Sequence, residues 1–225
     1  MLRFTTIALA ATLSTAAYAA PQPERVRGTI DSADGTTLVL KTDDGRSTTV
    51  ALAPDTKYAS VVKSSLDQIK DGVFIGTATK GDNPPTALEV VLFPEAMRGT
   101  GEGHYPWDEI QDTTAGDAPK VKSAMTNGTV KATTAGAPKV KSAMTNGTVA
   151  KSAGAGGVTT LTVSYGADGS KTIAVPASAP VVTFEPADAA ILKPGAKAFV
   201  IAGNEDGKLS AKRVAVGKDG LRPPM

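Results

Sequence analysis

The chain contains no cysteine. That one absence removes disulfides, thiolate metal sites, thiol nucleophiles and iron–sulfur clusters, so the fold has to rest on apolar burial. Histidine occurs once, as His104, and tryptophan once, as Trp107. A Ser–His–acid apparatus would have to use that single imidazole, and no G-x-S-x-G stretch presents a serine on a strained turn. Phosphate loops are missing too. "GTGEG" at 99–103 has the wrong spacing, and "GAGG" at 154–157 follows no strand–helix unit. An excess of one charge is also lacking: 24 Lys and Arg stand against 22 Asp and Glu, for a net +2. Such a balance gives no reason to expect nucleic acid as a partner. These absences argue against an enzyme, and a hydrolase ranks third among the readings.

Long apolar runs are scarce as well. The longest opens the chain, in "MLRFTTIALAATLSTAAYA". A basic Arg3, an apolar stretch from Ile7 to Leu13 and an Ala17-Tyr18-Ala19 ending have the layout of a secretory signal peptide over 1–19, with cleavage expected after Ala19. The run is too short to span a bilayer, which takes about 20 residues, and nothing later approaches that length. The expectation is an exported, periplasmic protein with no membrane span after cleavage.

What is present is a strand pattern, twice. Gly28-Thr29-Ile30 is matched by Gly147-Thr148-Val149, and Thr36-Thr37-Leu38-Val39-Leu40 by Thr159-Thr160-Leu161-Thr162-Val163. Asp44-Gly45 answers Asp168-Gly169, and Ile69-Lys70-Asp71-Gly72 answers Leu192-Lys193-Pro194-Gly195. Leu38/Leu40 and Val50/Leu52 are spaced by two, placing each pair on one face of a strand. Val62, Leu66 and Ile69 recur at helical spacing before Gly72, and Pro186 opens the matching turn of the second half. Paired runs at 73–79 with 86–93 and at 197–202 with 209–216 read as hairpins. The expectation is all-β: two duplicated five-stranded barrels, each with a short helical turn. They cover 20–97 and 146–218, with a long linker at 98–145 and a disordered tail at 219–225.

The order G-T-I, T-T-L, D-G, I-K-x-G over 26–93 and again over 146–217 resembles the bacterial exported domain of unknown function 5666. The resemblance implies a small OB-like barrel in tandem, and it carries no catalytic residues to this chain. "EGHYPWD" with "SAMTNGTV" resembles a subset of proteobacterial exported proteins, some of which carry a label tied to metal ABC transport permeases. A chain without membrane spans is not itself a permease.

The stretch 98–112, "RGTGEGHYPWDEIQD", collects the lone His and Trp, a tyrosine and four carboxylates. Glu102, His104, Asp108 and Glu109 offer one nitrogen and three oxygens, a mixed donor set that divalent ions accept. A possible divalent metal is therefore the one cofactor reading. Tyr105 and Trp107 suit either a plug between two barrels or a surface that anchors a ligand. After it, "TTAGDAPKVKSAMTNGTV" at 113–130 recurs almost intact at 133–149 as "TTAGAPKVKSAMTNGTV", with only Asp117 missing. Only the second copy leads into a full domain, so the first reads as a spare strand start. From 113 to 151 there are six lysines and one acid, a basic linker. The function expected is a non-catalytic periplasmic binding or envelope-accessory protein, with a periplasmic protein or envelope ligand as partner. A metal-binding accessory protein is the alternative.

Overall fold

Alternating β-branched and apolar residues become strand almost throughout. The computed structural model describes residues 23–114, 119–135 and 157–224. The signal-like segment at 1–19 and residues 136–149 of the second copy lie outside these. In chain order the strands are β1 (Glu24–Ala33), β2 (Thr37–Thr42), β3 (Ser47–Lys63), β4 (Phe74–Lys80), β5 (Thr86–Leu92) and β6 (Gly103–Gln111). They continue as β7 (Lys120–Ala135), β8 (Val158–Tyr165), β9 (Gly169–Pro176), β10 (Val181–Ala187), β11 (Lys197–Glu205) and β12 (Lys208–Gly217). The helical elements among the described residues are three-residue 3-10 turns.

Five strands close a barrel. β1 pairs antiparallel with β2 and β11, β2 with β3 and β11 with β12, while β3 runs parallel to β12. Inward positions alternate as the period of two demands: Val26 and Ile30, Leu38 and Leu40, Val50 and Leu52, with Val200 and Val214 opposite, all at most 8% exposed. Burying each such side chain contributes about 1.5–3 kcal/mol. Arg25 and Arg27 fall on the outer face of β1.

The barrel does not coincide with either contiguous half. It takes β1–β3 from the N-terminal half and the hairpin β11–β12 from the C-terminal one. The other hairpin, β4–β5, joins β7, β8 and β9 instead. β4 pairs with β7, β7 with β8 and β8 with β9, and β5 meets β9 at the single bridge Thr86↔Ala174. Ile75, Val90, Val130, Leu161, Val163 and Ile173 are buried together between these strands. A third cluster, including Phe74, Phe93, Phe184 and Phe199, packs β3, β4, β10, β11 and β12 together, with Phe93 5.6 Å from Phe74 and 5.8 Å from Phe184.

The registers correspond in detail. Gly28 stands opposite Ala198 on β11, and Gly128 opposite Ile75 on β4. Ile30 exchanges backbone hydrogen bonds with Ala196 and Gly195, and Val130 does the same with Val73 and Gly72. At both glycines a Cβ would collide with a neighbouring carbonyl, Lys41 O for Gly28 and Ser164 O for Gly128. The strands cross so closely there that only glycine fits.

Four sequence expectations change. The first copy of the repeat is not spare: Lys120–Val130 is the body of β7. The expected linker holds β6 and β7, because "HYPWDEI" and "KVKSAM" carry enough strand formers to pair with each other. The helical turn shrinks to Leu66–Gln68, since Val62 continues β3 and Pro186 lies within β10. The tail is packed as far as Pro224: Leu221 lies against the phenylalanine cluster, and Arg222 bonds Asp43 at 2.6 Å.

Because β3 contributes to the closed barrel and also pairs with β10, unfolding should be one event. Far-UV circular dichroism and Trp107 emission are expected to report a single coincident urea transition. Gly28→Val should lower stability by about 2–4 kcal/mol in the same experiment.

Candidate functional site

β6 carries the residues singled out at 98–112, and a bulge decides where they point. Pro106 pairs with Ala124 but Glu109 with Lys122, so β6 holds one residue more than β7 between those pairs. The extra residue reverses the alternation, which is how bulges re-aim side chains. Tyr105 and Trp107 before it, and Ile110 after it, therefore pack into one cluster with Ala78, Leu88, Met125 and Val121. Asp108 comes to lie toward the barrel, next to Trp107.

Asp108 meets two guanidinium groups there. Arg25 donates through Nη2 to Oδ1 at 2.7 Å and through Nε to Oδ2 at 3.0 Å, and Arg27 Nη1 stands 2.8 Å from Oδ2. Arg25 and Arg27 are two residues apart on β1, so one strand face presents both to a single carboxylate. Forked, charge-assisted bonds of this kind are the strong ones. Arg25 also lies 4.0 Å from the centre of the Trp107 ring, Tyr105 meets that ring edge-on at 5.9 Å, and Arg27 lies 4.8 Å from the centre of Phe199. Burial works to raise the Asp108 carboxyl, and the hydrogen bonds from Arg25 and Arg27 outweigh it, so it titrates below the ordinary aspartate range. The indole N–H of Trp107 is buried and makes no hydrogen bond; stacking holds that ring.

The four metal candidates are not brought together. Glu102 accepts from the Gly166 amide at 3.0 Å, and Asp108 is held by the arginines. Glu109 faces a cleft described below. Among the described residues, no group of three or more His, Asp or Glu side chains is placed to hold a metal ion. His104 Nδ1 lies 2.8 Å from Thr126 Oγ1, and its ring stacks with Tyr165 at 6.3 Å. Desolvation, aided by Lys171 and opposed by Asp82, holds this imidazole below its ordinary pKa. Thr126 is fully buried, so no substrate reaches its hydroxyl.

Tyr105 and Trp107 thus form part of a dock between β6 and the barrel. Two further ties hold the ends of β6 to β4 and β7. Lys80 Nζ is 2.5 Å from Asp112 Oδ2, and this bond holds the Asp112 carboxyl below its usual range. The buried Asn127 amide donates to Gly101 O at 2.9 Å and contacts the Tyr105 hydroxyl, fixing the loop before β6.

Docking leaves a cleft of about 490 Å³ between the outer wall of the barrel and β6. Arg46, Lys197 and Arg222 bring positive charge to it; Glu24, Glu109 and Asp43 bring negative. Sequence reasoning missed Arg25, Arg27 and this cleft. The available signal was the "RVRGTI" alternation, which places both arginines on one outward face but does not name their partner. No family model, curated protein or solved structure matches the chain.

Asp108→Asn should destabilise the protein by about 1–3 kcal/mol, between the values for surface and buried pairs, because the carboxylate is 27% exposed. The folded carboxyl titrates below the unfolded one. Its contribution is therefore complete above about pH 4 and lost as pH falls through the lowered value. Urea midpoints from pH 7 to pH 2.5 should converge for the two proteins on the acid side.

Proposed function

We propose that this is an exported, non-catalytic binding protein whose ligand site is the cleft between the barrel wall and β6. The observation that carries the reading is the Asp108 clamp. By fixing β6 against Arg25 and Arg27, it sets a preformed space rather than a sealed interface, and preformed clefts bind with little ordering cost. The walls offer both signs of charge within one space, so the favoured ligand is small, polar and itself carries both charges, such as a short peptide. The N-terminal layout of 1–19 supports export and a periplasmic location. The burial of Thr126 beside the lone histidine supports a role without catalysis.

In this reading the chain is a duplicated OB-like unit of the kind that the domain of unknown function 5666 implies, with its C-terminal hairpins exchanged between the two copies. The matched glycines at 28 and 128 and the matched hydrogen bonds of Ile30 and Val130 support it.

Calorimetric titration with di- and tripeptides carrying both charges tests the binding reading, using singly charged and neutral peptides as comparison. Binding confined to the doubly charged class, and weakened tenfold or more by Glu109→Gln or Lys197→Met, is the expected result; tenfold corresponds to about 1.4 kcal/mol. No binding in any class, or binding indifferent to both substitutions, would sink the proposal.

A further inference from the structure

One strand place in this fold has two claimants in the sequence. Residues 119–130 and 138–149 are identical, "PKVKSAMTNGTV" in both. The first copy fills β7, and that place makes three demands. It needs glycine where Gly128 crosses the Ser164 carbonyl. It needs an apolar side chain at Met125, which is fully buried against Ala78, Leu88 and Ile110. It needs the Thr126–Asn127 pair, whose side chains reach His104, Gly101 and Tyr105. Gly147, Met144, Thr145 and Asn146 meet the same demands with the same atoms.

Spacing favours the second copy. Corresponding positions elsewhere in the two halves are 123 or 124 residues apart, as Gly72 and Gly195 are, or Asp44 and Asp168. Gly147 lies 119 residues after Gly28, close to that spacing, whereas Gly128, the residue found in that position, lies only 100 after it. We infer that the two copies exchange in the β7 place, giving the chain two registers that differ by nineteen residues.

The balance between them lies outside the identical segment. With the first copy in place, Thr133 and Thr134 pair with Leu161 and Thr160, and β-branched residues favour strand. The second copy is followed by "AKSAG", which is poorer there. Against this, the first register leaves 136–157 to close the β7–β8 connection, whereas the second leaves only 155–157, a hairpin-like length. It transfers the nineteen residues to the β6–β7 connection. Closure entropy grows only logarithmically with length, so neither arrangement is strongly penalised. Exchange changes which connection borders the cleft, because Gln111, Thr113 and Lys120 line it at the β6–β7 end.

Valine at the glycine position reads the exchange directly. Gly128→Val, Gly147→Val and the double variant of the full chain are compared by circular dichroism and urea unfolding. Each single variant should stay folded with a midpoint close to that of the parent, and the double variant should lose the native transition. Loss of folding in Gly128→Val alone overturns the inference, and so does a double variant that folds normally. In the cysteine-free background, Met125→Cys and Met144→Cys are then labelled separately with a thiol reagent. Exchange predicts partial protection at both positions and labelling of Met125→Cys faster than global unfolding. Full protection at 125 with unhindered labelling at 144 overturns it.

Discussion

The parallel pairing of β3 with β12 is the contact on which the rest of this architecture depends. It joins residues 50–61 to 209–217, with partners more than 150 positions apart, and it closes the barrel. With β12 committed there, its hairpin partner β11 must pair with β1, and the β4–β5 hairpin has to find edges elsewhere. β10 supplies one, running parallel to β5 while pairing antiparallel with β3. The phenylalanine cluster follows from this, since β3 and β10 bring Val61, Val182 and Phe184 to the same seam as Phe74 and Phe199. Pairings this distant in sequence cost loop entropy before any burial repays it, so the seam is the last part of the fold that local preference could specify.

The strands themselves were legible. Period-two alternation at Leu38/Leu40 and Val50/Leu52 announces a face, and both faces are buried as read. Alternation says which side of a strand is apolar and nothing about which strand lies beside it. "TALEVVLF" and "SAKRVAV" have matching patterns, so either hairpin satisfies either set of partners, and the contiguous choice is only the simpler one. The strand character of 103–111 was hidden differently. A proline, a glycine and two carboxylates look like linker chemistry, and the pairing becomes visible only once "KVKSAM" lies alongside.

The candidate site shows the same limit at the level of single residues. Its location at 98–112 could be read from the concentration of rare residue types. Its chemistry could not, because one bulged residue reverses the parity of β6. Glu102, His104, Asp108 and Glu109 look like a donor set along the sequence, but the strand sends Glu102 to a backbone amide, His104 to a buried threonine and Asp108 to arginines 83 and 81 positions away. A carboxylate already satisfied by two guanidinium groups is a poor metal ligand, since any ion would have to displace charge-assisted bonds. The ion pair thus turns what looked like a binding residue into a positioning one.

Hairpin partnering and the repeated segment share one physical origin. A chain that carries the same pattern twice has, for each slot in its fold, more than one segment of nearly equal fit, and uniqueness must come from terms outside the pattern. For the hairpins those terms are the seam residues. Phe74 and Phe199 both face it, whichever set of strands their hairpins join. For β7 the terms are weaker still, because the twelve residues are identical and only the flanking residues and the connection lengths differ. Landscapes are funnelled when local and global preferences agree on one answer. Here local preference is silent by construction, so selection between arrangements rests on the seam in one case and on a short flank in the other.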